Sequence, residues 1–193
     1  MDILRIYNHL NSISPLSEDS WADLELLFEP LELKRNDYFI REGSKANYCY
    51  ILMEGVVRVF YNNEGNEYNK TFFITGTFPT PLTALLSQSP SALSFQALLP
   101  TSLIRFSFKK FKELFSKHRC LEKFFLAVME QEWIKKERHD IQMVTNDATT
   151  NYLIFRKDYP GLENQIPQYH IASYLGITPI QLSRIRAQLA KSD

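Results

Sequence analysis

The chain has 193 residues, with 22 Lys and Arg against 22 Asp and Glu, so its formal net charge is zero, and 45% of it is hydrophobic. That is the composition of a folded globular chain of one domain or two small ones. A neutral balance argues against a protein that coats nucleic acid or anionic membranes without sequence preference.

No apolar run reaches the length of about eighteen residues that a membrane helix needs, and Met1-Asp-Ile-Leu-Arg lacks the basic-then-apolar layout of a signal peptide. No membrane partner is expected, and the cytoplasm is the default location. Two cysteines, Cys49 and Cys120, offer neither a disulfide framework nor the four thiolates of a typical iron–sulfur cluster. His9, His118, His139 and His170 show no ligand spacing, so no metal site and no cofactor are expected, and all four read as structural or surface side chains. His139-Asp140 reads as a solvated pair on a charged helix face. With no nucleophile paired to a base and no glycine loop to cradle a phosphate, the chain does not read as an enzyme.

Residues 1–29 read as two helices. Ile3, Ile6, Tyr7 and Leu10 recur at helical spacing, then Ser17 or Ser20 provides a fresh N-terminus for Trp21, Leu24, Leu27 and Phe28 before Pro30. From residue 31 the texture changes to short β-rich runs at 31–33, 38–41, 48–53, 56–61, 69–74, 94–98 and 103–108. Turn signals divide them at Asn36-Asp37, Glu42-Gly43-Ser44, Glu54-Gly55, Asn62-Asn63-Glu64-Gly65 and Thr75-Gly76. Such spacing predicts a sandwich or jelly-roll barrel. The interval 76–98 contains no Lys or Arg, so nothing in it pairs with a phosphate, although Ser87, Ser89, Ser91 and Ser94 could hydrogen-bond a neutral ligand.

Residues 108–117 read as a short helix on the barrel's edge, and 120 to about 144 as one long helix. Its first half is apolar almost all round, with Leu121, Phe124, Phe125, Leu126, Val128 and Met129, while its second half is charged. A helix apolar on every side needs two partners. The barrel is one. The other is the same helix of a second subunit, along a seam of Ala127, Ile134 and Ile141 spaced seven apart with Phe124 and Val128 beside it, or else burial within one chain. Asn146 and Asp147 can cap the next helix, which carries Tyr152, Leu153 and Phe155 until Tyr159-Pro160-Gly161 breaks it and which packs behind the segment that follows.

That segment, residues 166–189, reads as two short helices meeting at a corner. The first opens at Pro167, carries Ile171 and Leu175 on one face, and ends at Gly176. Thr178 is the N-cap of the second, and Gln181 completes a capping box across Pro179 and Ile180. Leu182, Ile185 and Leu189 share the core face, while Ile180, Gln181, Arg184 and Gln188 point away. Two helices joined by a glycine-containing turn form a helix-turn-helix pattern, whose second helix presents base-reading side chains to the major groove. Arg184 has the fork for guanine, Gln181 suits adenine or a phosphate, and Ile180 suits a thymine methyl. An ordinary αα corner with solvated polar residues is the plain alternative.

The segment Ile166-Pro-Gln-Tyr-His-Ile-Ala-Ser-Tyr-Leu-Gly-Ile-Thr-Pro-Ile-Gln-Leu-Ser-Arg-Ile-Arg186 closely resembles the DNA-binding end of Crp/Fnr regulators, especially those of Bacteroidetes. Phe39-Ile-Arg-Glu-Gly43 and Tyr50-Ile-Leu-Met-Glu-Gly-Val-Val-Arg-Val-Phe-Tyr61 resemble the cyclic-nucleotide-binding β-roll of the same family. The resemblance implies an α+β chain: a double-stranded β-helix (jelly-roll) sensor over 1–118, a long dimerisation helix over 119–144, and a winged helix-turn-helix over 145–193. It implies DNA and a second copy as partners and a small-molecule effector as a further candidate. The implied DNA contacts are Tyr169, Thr178, Pro179, Ile180, Gln181, Ser183 and Arg184, of which only the arginine keeps the family's base-reading residue. In nucleotide-binding relatives a cassette glutamate holds the ribose and an Arg-Ser pair takes the cyclic phosphate. The cassette here, with Gly76, Pro81, Leu82, Ser91 and Ala92, places Pro81 at the glutamate and Ser91-Ala92 at the Arg-Ser pair, which implies a regulator not controlled by cAMP. A sensor or dimeric interaction module that has lost DNA binding is the alternative.

Overall fold

The computed structural model describes residues 3–191. Two N-terminal helices, α1 (Ile3–Ile13) and α2 (Glu18–Glu25), pack Ile6, Leu10 and Leu24 inward, and Ser17 caps α2 by accepting from the Ser20 amide. Seven strands follow: β1 (Glu29–Leu33), β2 (Tyr38–Ile40), β3 (Tyr48–Glu54), β4 (Val56–Asn63), β5 (Asn66–Ile74), and, after the short helix α3 (Leu82–Ser87), β6 (Ser94–Ala97) and β7 (Thr101–Ser107). The remaining helices are α4 (Phe108–Glu113), α5 (Arg119–Thr145), α6 (Ala148–Asp158), α7 (Gln168–Tyr174) and α8 (Pro179–Leu189).

The strands form two antiparallel sheets, β1-β7-β3 and β2-β6-β4-β5. Because side chains alternate across a strand, each sheet has two faces, and here both carry buried side chains that must be covered. The inner faces pack Ile40, Tyr50, Leu52, Val57, Val59, Phe73, Phe95 and Leu103 against one another, which makes this part a β-sandwich. Cys49 and Ile51 point the other way from β3, into a layer with α1, α2, α4 and the start of α5, and burial pushes the Cys49 thiol up to about 12. On the four-stranded sheet the outward set is Val56, Arg58, Asn69, Phe72 and Gln96, all buried, and the C-terminal helices lie over it.

Phe72, fully buried, is the centre of that seam. Its ring meets Phe155 and Tyr159 edge-on, at 6.0 and 5.8 Å, and Tyr174 at 5.5 Å. Ser173 closes the free edge of β5, its Oγ accepting from the Asn69 amide (2.9 Å) and donating to the Glu67 carbonyl (2.7 Å). An exposed strand edge is a template for unwanted pairing, and here a helix covers part of it.

Long helix α5 begins one residue earlier and ends one later than the periodicity predicts. The short helix α3 was not legible, since its six residues offer no periodicity to read. No strand follows β7 among the described residues, so the wing implied by the family resemblance has no counterpart there. The His139-Asp140 reading is corrected: His139 stacks on Tyr174 with ring centroids 4.9 Å apart, and burial lowers its pKa, whereas Asp140 pairs with Lys136.

Gly55, at φ +100°, turns β3 into β4 where an added Cβ would lie 2.4 Å from Thr101 Oγ1 and 2.7 Å from the Pro100 carbonyl. Gly55→Ala combines a forbidden conformation with a clash against backbone, so it should destabilise the fold by about 2–4 kcal/mol. The check is a lowered urea midpoint with unchanged slope.

Candidate nucleic-acid interface and ligand cassette

The C-terminal helix pair is built as its sequence dictates. Gly176 takes φ +67° at the corner, and Thr178 starts α8 with both halves of the capping box in place. Leu182 and Ile185 are buried and Leu189 is half-buried, joining Ile171, Ala172 and Leu175 of α7 and Tyr152, Phe155 and Tyr159 of α6 in one core. The other side is left to solvent. Thr178, Pro179, Ile180, Gln181, Ser183 and Arg184 are all exposed, Ile180 to 66%, and Tyr169 on α7 is exposed as well. Arg184 has no ion-pair partner among the described residues. All seven candidate contacts are therefore open to solvent, six of them on α8 and its cap and Tyr169 on α7.

Two of these residues carry less freedom than their types suggest. Gln181 Oε1 accepts from both the Thr178 amide (2.9 Å) and the Thr178 hydroxyl (3.1 Å), which occupies both of its lone pairs. Reading adenine through two bonds needs that oxygen as well as the nitrogen, so Gln181 keeps only its Nε2 donors, suited to a phosphate or a single base acceptor. Thr178 Oγ1 is similarly engaged, accepting from the Gln181 amide at 3.2 Å. Pro167 is the N-cap of α7 rather than its first residue, at φ −57° and ψ 135°.

Behind this flank, α6 is capped by Asp147, whose carboxylate accepts from the Thr150 amide, a bond that holds its pKa below the usual range. Tyr152 donates to Glu163, which also pairs with Arg156, and burial together with Glu163 pushes the Tyr152 phenol up to about 12. At the junction of α5 and α6, Asn151 Nδ2 donates to the Gln142 carbonyl and Asn146 Nδ2 to Asn151 Oδ1. α6 is thus bonded to the long helix, and Tyr174 of α7 meets that helix at His139.

The cassette is in a different condition. Pro81 is buried and starts α3 with no side-chain cap, and Leu82 is half-buried beside it. Gly76 sits at φ +86° with its carbonyl 2.6 Å from His9 Nε2, which ties this turn to α1. Ser91 is buried and turned into its own loop, its Oγ donating to the Leu93 carbonyl (2.7 Å), while Ala92 is exposed. The other serines are used too: Ser94 Oγ accepts from the Glu42 amide, and Ser87 and Ser89 bond each other. Inside the sandwich Phe39 lies 4.7 Å from Tyr50 and 5.7 Å from Phe95, ring to ring. Of two cavities, of about 250 and 260 Å³, one lies away from the cassette, between Gly55, Ile74 and the Tyr159–Gln165 stretch, and the other lies beneath α1 beside Arg5, His9 and Met53 and reaches Gly76 at the start of the cassette. One feature escaped sequence reading, because it depends on a pairing across 45 residues: the backbone of Lys45, an exposed residue, bridges to Pro90 beside the loop.

On α5, Phe124 is buried against Phe78 and the N-terminal layer, and Val128 packs half-buried beside it, so both serve their own chain. Ala127 is half-buried, whereas Ile134 (55%) and Ile141 (57%) are exposed, joined by Leu126, Trp133 and Val144, which the heptad reading left out.

Thr178→Ala removes one half of the capping box and should cost about 1 kcal/mol, seen as a lower melting temperature and faster amide exchange confined to the first turn of α8.

Residues 30–118 match the cyclic nucleotide-binding domain family. No curated protein matches the sequence significantly. Among solved structures the chain is similar to FixK2 from Bradyrhizobium japonicum, with a TM-score of 0.74 at 18% identity over 86% of this chain and 85% of that one. It is also similar to a CooA mutant from Carboxydothermus hydrogenoformans (TM-score 0.72, 18% identity, 100% and 85% covered). A third is CLP of Xanthomonas campestris, described as a c-di-GMP responsive global regulator (TM-score 0.71, 12% identity, 89% and 90% covered). At such identities the likeness establishes the fold, and the proteins that share it are regulatory rather than enzymatic. The stretch 30–118 is thus a domain of the cyclic nucleotide-binding family, and the chain that carries it has the fold of Crp/Fnr-type regulators.

Proposed function

We propose that this chain is a homodimeric, sequence-specific DNA-binding transcriptional regulator of the Crp/Fnr type that is not controlled by cAMP. The observation that carries the DNA part is the exposed flank of α7 and α8, where Tyr169, Thr178, Pro179, Ile180, Gln181, Ser183 and Arg184 face solvent while the opposite sides are buried. Arg184 is the base reader, because its planar fork can meet O6 and N7 of guanine together. Ile180 offers apolar contact to a thymine methyl. Gln181, Ser183 and Tyr169 hold phosphates or set register, which fixes orientation without carrying sequence.

The long helix supports the second copy. Leu126 and Trp133 lie seven apart, as do Ile134 and Ile141, and with Val144, 86% exposed, they make an apolar stripe too long to leave in water. Two copies of that stripe cover each other about a two-fold axis, and DNA half-sites would follow the same symmetry.

Independence from cAMP rests on the cassette. A buried proline and an exposed alanine offer no group for a ribose hydroxyl or a cyclic phosphate, and Ser91 is bonded within its own loop. A second reading, a sensor that has lost DNA binding, draws on the zero net charge. Salt separates the two, because contact with phosphates releases counterions and must weaken steeply as salt rises.

Anisotropy titration of the purified chain on genomic duplexes, without nucleotide, should show selective binding that falls with salt. Arg184→Ala should weaken it about ten- to a hundredfold, in line with loss of a bidentate base contact. Binding that is unselective, or unmoved by Arg184→Ala, contradicts the assignment. In sedimentation velocity the native chain should run as a dimer and the Trp133→Glu, Ile134→Glu double variant as a folded monomer. Addition of cAMP should change neither result.

A further inference from the structure

The seam between the sandwich and the C-terminal helices contains, beside its aromatic centre, a buried polar cluster that no role above uses. Arg58 of β4 is 4% exposed, and its guanidinium reaches four partners. Nε donates to Gln96 Oε1 of β6 (2.7 Å), while one terminal nitrogen lies 2.6 Å from Glu67 Oε2, 3.4 Å from Asn69 Oδ1 of β5, and 3.2 Å from His170 Nδ1 of α7. Asn69 Nδ2 donates to the His170 carbonyl at 2.9 Å. His170 is 4% exposed.

The chemistry of this contact has one allowed state. A guanidinium only donates, so His170 Nδ1 must be the acceptor, and the ring is neutral with its proton on Nε2. A proton on Nδ1 would turn an N–H toward the guanidinium and place two cations against each other in a buried site.

We propose that Arg58 and His170 are positioning residues that clamp α7 to the outer face of the four-stranded sheet, and that protonation of His170 opens the clamp. The outer face of the sandwich then fixes the orientation in which α8 is presented, with Tyr169 next in sequence to the clamped histidine. The bearing on DNA rests on the reading of α7 and α8 given above, whereas the clamp itself is testable without DNA.

The charged and titratable groups around His170 are Arg58 from β4, Glu67 from β5, Arg35 from the turn before β2, and Tyr169, whose ring lies 4.1 Å from it. On the other side of α7, His139 of α5 faces Tyr174. Burial, followed by Arg58 and Arg35, lowers the His170 pKa from 6.5 to about 4. A histidine depressed in the docked state favours docking fully above its free value of 6.5, and loses that advantage as pH falls from there toward 4. Between pH 7.5 and 5.5 the docking equilibrium should therefore weaken about tenfold.

The test is amide exchange of the full chain at those two pH values, corrected for intrinsic rates. It is read at the Asn69 amide, which donates across the seam to Ser173, and along α7. Amides of β3 and β7 serve as the internal standard for an intact sandwich. The native chain should lose about tenfold protection at the seam at pH 5.5 with the standard unmoved. His170→Asn, whose Oδ1 replaces the Nδ1 acceptor and cannot be protonated, should keep the protection and flatten the pH profile. Arg58→Met should lose protection at both pH values, and Arg58→Lys should restore part of it. Full protection at the seam in Arg58→Met overturns the clamp. A pH profile that survives His170→Asn and disappears in His139→Asn overturns the assignment of the proton.

Discussion

The contact on which the rest of this molecule depends is the seating of α7 against the outer face of the β2-β6-β4-β5 sheet. A sheet has two faces, and here the inner one is closed by packing against its partner sheet around Tyr50, Val57 and Phe95. The outer one carries Val56 and Phe72, which water cannot cover without cost, and only the C-terminal helices are in reach. Their core is consequently continuous with the sheet. Phe72 of the strand is surrounded by Phe155 and Tyr159, and by Tyr174 of α7, and the last of these is also held by His139 of the long helix. One aromatic side chain thereby ties together sheet, long helix and helix pair.

That arrangement bears on how a chain of this fold can work if, as proposed, its cassette does not take cAMP. Where a ligand organises the sandwich interior, the signal begins there. In this chain the interior is packed by aromatic rings, Ser87 and Ser89 bond each other, Ser91 bonds its own loop and Ser94 accepts from the Glu42 amide. Buried polar contacts lie instead on the outer face, where Arg58 meets His170, and at the junction of α5 and α6, where Asn146 bonds Asn151. Together with Ser173 on the edge of β5 and Tyr174 on Phe72 and His139, the Arg58–His170 contact is part of what seats the helix pair.

Much of this was legible in the residues. The capping box, the corner glycine and the i, i+3, i+7 pattern of Leu182, Ile185 and Leu189 define α8, because caps and periodicity are local features that tertiary packing here reinforces. The strands of the sandwich were legible from glycine turns for the same reason. What was missed is non-local. Arg58 and His170 lie 112 residues apart, and nothing in either neighbourhood announces a partner. His139 beside Asp140 reads as a solvated pair until Tyr174 is placed on it. Phe124 and Leu126 show the limit of periodicity in an all-apolar stretch: pattern alone could not tell that the first faces the chain's own core and the second faces solvent. For Gln181 the sequence leaves adenine and phosphate both open, and the engagement of its Oε1 by Thr178 favours the phosphate, because the same oxygen cannot also serve adenine.

The most direct test of the central claim is a selection from a pool of randomised duplexes with the full chain, no nucleotide present, and sequencing of what is retained. The account requires enrichment of a two-fold-related motif whose half-sites lie about one helical turn or a multiple of it apart, with a guanine in each half that Arg184→Ala no longer selects. A pool that emerges without an enriched motif, or a motif unchanged by Arg184→Ala, would contradict it.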